Sequence, residues 1–194
     1  MSPARKSADA VVHDIVLGGF GGQGVKVIAT LLAQAAHHDG KHAMMYNIYA
    51  AAIRGGPIHC TVRVSDQAIL GGPTTTAPTA VLAMDPDAMR VYEDAMRPGG
   101  TLVVNSTLVS DHPRRNDLNV VSVPTNEIAG EIGDMKYTGM VALGALAAHT
   151  GVVSLEAIGS CLEQILPSYR HHMIPDNVQA LQRGAACPGS LGPS

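Results

Sequence analysis

Val12-His13-Asp14-Ile15-Val16-Leu17, Gly18-Gly19-Phe20-Gly21-Gly22-Gln23-Gly24 and Val25-Lys26-Val27-Ile28-Ala29-Thr30-Leu31-Leu32 follow one another without interruption. An apolar, β-branched run reads as a strand, and the segment after Gly24 carries apolar residues at helical spacing. Between them lies a glycine turn. Glycine tolerates positive φ and lets a ligand approach the backbone closely, and the first amides of a helix together with its dipole favour an anion. Strand, glycine turn and helix start therefore predict a cradle for a phosphate or carboxylate. Gly19-Phe20-Gly21-Gly22-Gln23-Gly24 has the Gly-x-Gly-x-x-Gly spacing in the strand-to-helix context that spacing requires.

A dinucleotide site also needs an acidic residue at the end of the second strand, to hold the ribose hydroxyls. The second strand is expected over about His42 to Tyr46. It runs into Tyr46-Asn47-Ile48-Tyr49, and the nearest acid, Asp39, precedes it in the turn Asp39-Gly40. Another phosphate-bearing ligand fits this opening better than NAD does. A stand-alone NAD(P)-binding oxidoreductase and a structural adaptor whose turn binds nothing remain the alternatives.

The rest of the chain alternates in the same way. Strands are expected over Ile58 to Val64, Thr79 to Met84, Thr101 to Asn105 and Leu118 to Val123, with Gly71 to Pro78 as loop. Asp85-Pro86 reads as a cap with proline in the first turn of a helix to about Met96. Helices are also expected near Thr125 to Glu131, over Tyr137 to His149 and, after a Ser154 cap, to Leu166. The pattern predicts an α/β fold: a doubly wound, Rossmann-like, mostly parallel sheet opening on a βαβ unit, with a helical C-terminal part. Residues 1–10 are expected to be a flexible arm, 11–166 the domain, and 167–194 an extension that is partly ordered or held by a partner.

Composition narrows the function. The 194 residues carry a formal net charge of -3 with 15% charged residues, which disfavours a general nucleic-acid binder. Cys60, Cys161 and Cys187 are far apart and contain no Cys-x-x-Cys pair, so neither a disulfide framework nor a self-contained zinc or iron-sulfur site is expected. A reducing cytoplasm follows as the expected setting, and no segment is apolar enough to predict a membrane span. His37-His38 and His171-His172 are adjacent pairs, which cannot share one helix face, so no metal site is expected. The core must be built from Ala, Val, Leu, Ile and Met, since Trp is absent and Phe20 is the single Phe. With 46% hydrophobic residues, apolar surface left for partners is expected.

A second constellation, Tyr49-Ala50-Ala51-Ala52-Ile53-Arg54-Gly55-Gly56-Pro57, follows the second strand. Loops at the carboxyl ends of strands converge on the ligand crevice, so Arg54 is placed to offer bidentate contacts to an anion beside Gly55 and Gly56. Gln23 suits either a ligand contact or a cap on the helix start. No Ser-His, thiolate or paired-carboxylate arrangement is recognisable, and no catalytic residue is assigned.

Taken with Met140-Val141-Ala142-Leu143-Gly144-Ala145-Leu146, the two glycine motifs resemble the gamma subunit of 2-oxoacid:acceptor oxidoreductases of the 2-oxoglutarate, pyruvate and phenylglyoxylate type, over about Asp14 to Leu166. The resemblance implies a multisubunit enzyme that oxidatively decarboxylates a 2-oxoacid to acyl-coenzyme A, with ferredoxin or NAD as acceptor. It implies coenzyme A at or near Gly19, Phe20, Gly21, Gly22, Gln23, Gly24, Arg54, Gly55 and Gly56. Thiamine diphosphate, magnesium and the iron-sulfur clusters would lie on alpha, beta and ferredoxin-like partner subunits, with an NAD-linked flavoprotein subunit as a further partner. Two positions depart from the family pattern. Ala52 stands where a glutamate is frequent, and Gly139 where an asparagine commonly precedes Met-Val. The less polar loop suits an aromatic 2-oxoacid such as phenylglyoxylate.

Overall fold

A computed structural model describes residues 11–49 and 56–189. Its centre is a six-stranded sheet of β1 (Val12–Phe20), β2 (His42–Tyr49), β3 (Pro57–Ser65), β4 (Ala80–Ala83), β5 (Thr101–Asn105) and β6 (Asn119–Val123). The spatial order is β2-β3-β1-β4-β5-β6. From β1 to β6 the strands are parallel, while β3 runs antiparallel to both β1 and β2.

The sheet is therefore mixed, and the opening is not a simple βαβ unit. Helix α1 (Val25–His38) does connect two strands of the same direction, but the β2–β3 hairpin folds back so that β3 takes the place beside β1. Alternating burial does not reveal strand direction, which is why β3 reads equally well either way from sequence. The first strand is also longer than expected. Gly18 and Gly19 pair with His59 and Ile58 and stay extended, so the turn proper begins after Phe20.

Period-two alternation splits the core across the sheet. Ile15, Leu17, Val62, Leu82 and Val103 point to the face covered by α1, α3 (Thr125–Ile132), α4 (Thr138–Thr150), α5 (Leu155–Ile165) and α6 (Ile174–Ala185). Val16, Val81, Leu102 and Val104 point to the other face, where α2 (Pro86–Tyr92) is the only α-helix among the described residues. Both faces are covered, but unequally.

The Met140-to-Leu146 motif is the buried middle of α4: every residue from Thr138 to Ala147 is enclosed. A helix apolar all round belongs inside, between sheet and outer helices. Caps set the ends of other elements as expected. Asp85 accepts from the Ala88 amide at 2.9 Å with Pro86 in the first turn, and Ser154 accepts from the Ala157 amide. Asp39 in turn accepts from the amide and hydroxyl of Ser154, tying the end of α1 to the start of α5.

Beyond Leu166, a 3-10 segment (Ser168–Met173) and α6 bring the chain back across α4, and Ala180 and Leu181 join the same core cluster. The unit thus continues past the expected boundary at 166. What makes this contact possible is glycine on both helices. A Cβ on Gly144 would lie 2.0 Å from the Leu181 carbonyl oxygen, and one on Gly184 would lie 1.8 Å from that of Val141.

Candidate functional site

The glycine turn is held by its own backbone and by one side chain. The Gly21 amide donates to the Gly56 carbonyl at 3.1 Å, extending the β1–β3 ladder by one bond and setting the two sequence motifs side by side. Gly22 (φ 105°) and Gly24 (φ 77°) then carry the chain through conformations that L side chains rarely adopt, and Gly24 becomes the N-cap of α1.

Among the described residues no side chain caps that helix. Among the described residues, nothing accepts from the amides of Gly22 and Gly24, and the first-turn amides of α1 have no partner one turn earlier. The turn thus presents main-chain donors and the positive end of a helix dipole to an exposed surface.

Gln23 resolves differently. Its Oε1 accepts from the Phe20 amide at 2.7 Å and its Nε2 donates to the Met84 carbonyl at 3.2 Å, so the side chain braces the turn against the end of β4. Gly19 is needed there for space: a Cβ on it would lie 2.5 Å from Gln23 Oε1 and 2.9 Å from Met84 Cβ. Phe20 sits at the end of β1, 36% exposed. Arg54 and Gly55 lie outside the described residues, as do Ala50 to Ile53; Gly56 is placed against Gly21.

Beside the turn lies a cavity of about 360 Å³, a size ordinary for small-ligand sites. Gly22 and Gly24 line it, with Ile28 and Leu31 from α1 and Leu162 from α5. Two cations stand at its wall, Lys136 before α4 and Arg170 from the 3-10 segment. Lys136 is shared with Asp134, 2.8 Å away. Arg170 packs over the Tyr169 ring at 5.4 Å, and no carboxylate among the described residues pairs with it. Gly139 matters here too. It lets α4 start against the turn, because a Cβ would sit 3.1 Å from the Gln23 carbonyl oxygen and from Ile28 Cγ2.

Neither cation carried a local signal in the sequence. Lys136 and Arg170 are far apart in the chain, and both line this cavity only in the folded chain.

The cysteines do not form a reactive or metal-binding group. Burial pushes the Cys60 thiol up to about 11, and it raises Cys161 and Cys187 as well. Among the described residues no cluster of three His, Cys, Asp or Glu could hold a metal ion, and no helix is long and apolar enough to cross a membrane.

The pyruvate ferredoxin/flavodoxin oxidoreductase family model matches residues 14–187. The chain belongs to this family. A 2-oxoglutarate synthase subunit KorC of Methanothermobacter marburgensis is 32% identical over 178 residues, covering 88% of this chain and 94% of the relative. The gamma subunit of an NADH-dependent phenylglyoxylate dehydrogenase from Aromatoleum evansii is 30% identical over 187 residues, covering 90% and 93%. The crystal structure of a keto/oxoacid ferredoxin oxidoreductase gamma subunit from Geobacter sulfurreducens superposes with a TM-score of 0.77 at 31% identity, covering 90% of this chain and 95% of that one. This member of the pyruvate ferredoxin/flavodoxin oxidoreductase family is thus of the gamma-subunit kind, and it acts as part of a multisubunit 2-oxoacid oxidoreductase.

Proposed function

We propose that this gamma subunit supplies the phosphate-holding wall for coenzyme A in a 2-oxoacid:acceptor oxidoreductase, while decarboxylation and electron transfer take place on companion chains. The observation that carries the reading is the uncapped start of α1 behind two positive-φ glycines. Such a start offers unpaired amides to an anion, and coenzyme A presents a pyrophosphate and a ribose phosphate. Arg170 and Lys136 stand beside the turn to share that charge, and Arg54 precedes Gly56 by two residues in the sequence.

When bound, coenzyme A supplies the thiol that receives the acyl group. This chain's part is to hold and orient it. The iron-sulfur clusters are assigned to companion subunits, because the thiols here are separated and kept protonated by burial, and thiamine diphosphate with its magnesium goes to alpha and beta subunits as the family resemblance implies. Nicotinamide binding is disfavoured by topology. The strand beside β1 is β3, running the opposite way, so the end of β2 is not where a ribose-binding acid would have to stand. The apolar sequence Ala50 to Ile53 favours an aromatic 2-oxoacid such as phenylglyoxylate over a dicarboxylic one.

Gly22→Val in the assembled complex tests the reading. Valine resists a φ near 105°, so the turn must change shape. The expected result is a KM for coenzyme A raised by roughly tenfold or more, equivalent to about 1.4 kcal/mol, with the KM for the 2-oxoacid little changed. An assembled complex with an unaltered KM for coenzyme A refutes it.

A further inference from the structure

One edge of the sheet is left open in a way that the glycine turn does not account for. β2 lies outermost, beyond β3, and its eight residues pair with β3 without a bulge from the His42–Ser65 pair to the Tyr49–Ile58 pair. Among the described residues, no hydrogen bond other than those to β3 reaches its backbone. Every second residue therefore turns an N–H and a C=O outward. Soluble proteins blunt such an edge with lysine, proline, a bulge or a very short strand. β2 has none of these: His42-Ala43-Met44-Met45-Tyr46-Asn47-Ile48-Tyr49 contains no Asp, Glu, Lys, Arg or Pro. Ala43 and Met45 pack toward the core under α1, so Met44 and Tyr46 stand on the opposite face, where Tyr46 is 49% exposed.

Such an edge accepts another extended strand, and two features of this one select its own copy. The first is charge. With no ionised side chain in the strand, β2 can oppose itself antiparallel without setting like charges together. Centred on Met45, that pairing puts Tyr46 opposite the partner's Met44 and Met44 opposite the partner's Tyr46, an aromatic against a thioether on each side of the axis. The second is helix spacing. Because α1 packs over β2 and β3 alike, its axis lies about half a strand spacing, ~2.4 Å, inside β2. A twofold axis the same distance outside β2 brings the two α1 axes to about 10 Å, the packing distance of neighbouring helices. The side of α1 above the edge is small enough for that approach: Thr30 lies 3.9 Å from Met45 Sδ, and Ala33 follows it by three residues. We infer that two copies of this chain join through β2 in the assembled oxidoreductase, merging their sheets into one with the two α1 helices side by side. A twofold contact of this kind closes on itself and consumes both open edges.

Cross-linking in the purified complex tests the pairing. Met44→Cys and Tyr46→Cys are introduced together; neither residue belongs to a core cluster, and directly opposed positions have Cβ atoms about 5 Å apart. Mild oxidation followed by non-reducing electrophoresis is expected to shift the gamma chain to twice its mass, with the disulfide mapped between position 44 of one copy and position 46 of the other. Wild type and Val91→Cys, which offers a 60% exposed position on α2, are expected to stay at single mass. Tyr46→Cys alone, treated with a bismaleimide reaching about 8 Å, is expected to give the same dimer through the diagonal pair. A gamma chain that stays at single mass in both variants of an intact complex overturns the inference. So does a bismaleimide product joining the gamma chain to a companion subunit instead of its own copy. Native mass spectrometry of the wild-type complex adds a measurement free of substitutions, and a single gamma chain per complex overturns the inference as well.

Discussion

Gly144→Ala sets two well-calibrated effects against each other. In an isolated helix alanine is favoured over glycine by about 1 kcal/mol, so intrinsic propensity predicts stabilisation. In α4, however, the new methyl would lie 2.0 Å from the Leu181 carbonyl oxygen and 2.8 Å from its carbon, well inside the 3.4 Å at which ordinary contact begins. These neighbours are backbone atoms of α6, so no rotamer change relieves the overlap, and the helices must separate by more than 1 Å. Overpacking of this kind costs about 1–3 kcal/mol and occasionally more. Because the neighbour is rigid, the upper end applies, and the net expectation is a loss of about 2 kcal/mol after the propensity gain. Gly130→Ala in α3 is the matched control: nothing lies within 4 Å of its Cβ position, so it should stabilise by about 0.5–1 kcal/mol. Urea unfolding of the two variants beside wild type reads both numbers from the midpoints. If Gly144→Ala is as stable as wild type while Gly130→Ala behaves as expected, the close crossing of α4 and α6 is wrong.

Four further outcomes follow from individual residues. Burial lowers the pKa of His59, against a smaller opposing pull from Asp85, and among the described residues nothing accepts a hydrogen bond from its buried Nδ1. The unfolded chain therefore binds a proton near pH 6.5 that the folded one resists, so this contribution to stability is complete above that pH and is lost as pH falls toward the depressed folded value. His13 acts in the same direction, and a His59→Phe variant should show a shallower fall in urea midpoint between pH 7.5 and 5.5 than wild type. Asp85→Ala removes the cap of α2 and should cost about 1 kcal/mol in the same unfolding assay. Arg54→Ala should raise the KM for coenzyme A by an amount equivalent to about 1–3 kcal/mol, and an unchanged KM removes Arg54 from the site. Cys60 and Cys161, buried and with raised pKa values, should react with a thiol reagent at pH 8 far more slowly than the partly exposed Cys187; mass mapping of the labelled peptides checks the order.

Local signals account for what the sequence made legible. Thr101 to Asn105 reads correctly to the residue because it is a fully buried strand bounded by Pro98-Gly99-Gly100, and Asp85-Pro86 announces α2 through a cap that depends only on neighbours. The glycine turn was legible for the same reason, although its start was placed too early: Gly18 and Gly19 look like turn residues but are held extended by β3 and β4. What escaped depends on partners distant in sequence. Gly184 in α6 resembles a helix breaker until Val141 is placed beneath it, and Pro175 sits harmlessly in the helix's first turn. The cavity escaped for the same reason, since its lining comes from α1, α4, α5 and the segment leading into α6, which come together only in the folded chain. Gln23 shows the limit from the other side: its motif position suits a ligand contact or a cap alike, and only the fold shows its amide bracing the turn against Met84.

The insertion of β3 between β1 and β2 has a consequence for how the molecule is made. Both neighbours of β1 are synthesised after it, β3 by residue 65 and β4 by residue 83. As the nascent chain leaves the ribosome, one edge of this apolar strand stays open until residue 65 and the other until residue 83, and the β2–β3 hairpin must form before the first is covered. This strand needs shielding during translation, and the glycine turn that grows from it is closed only when Gly56 arrives to meet Gly21.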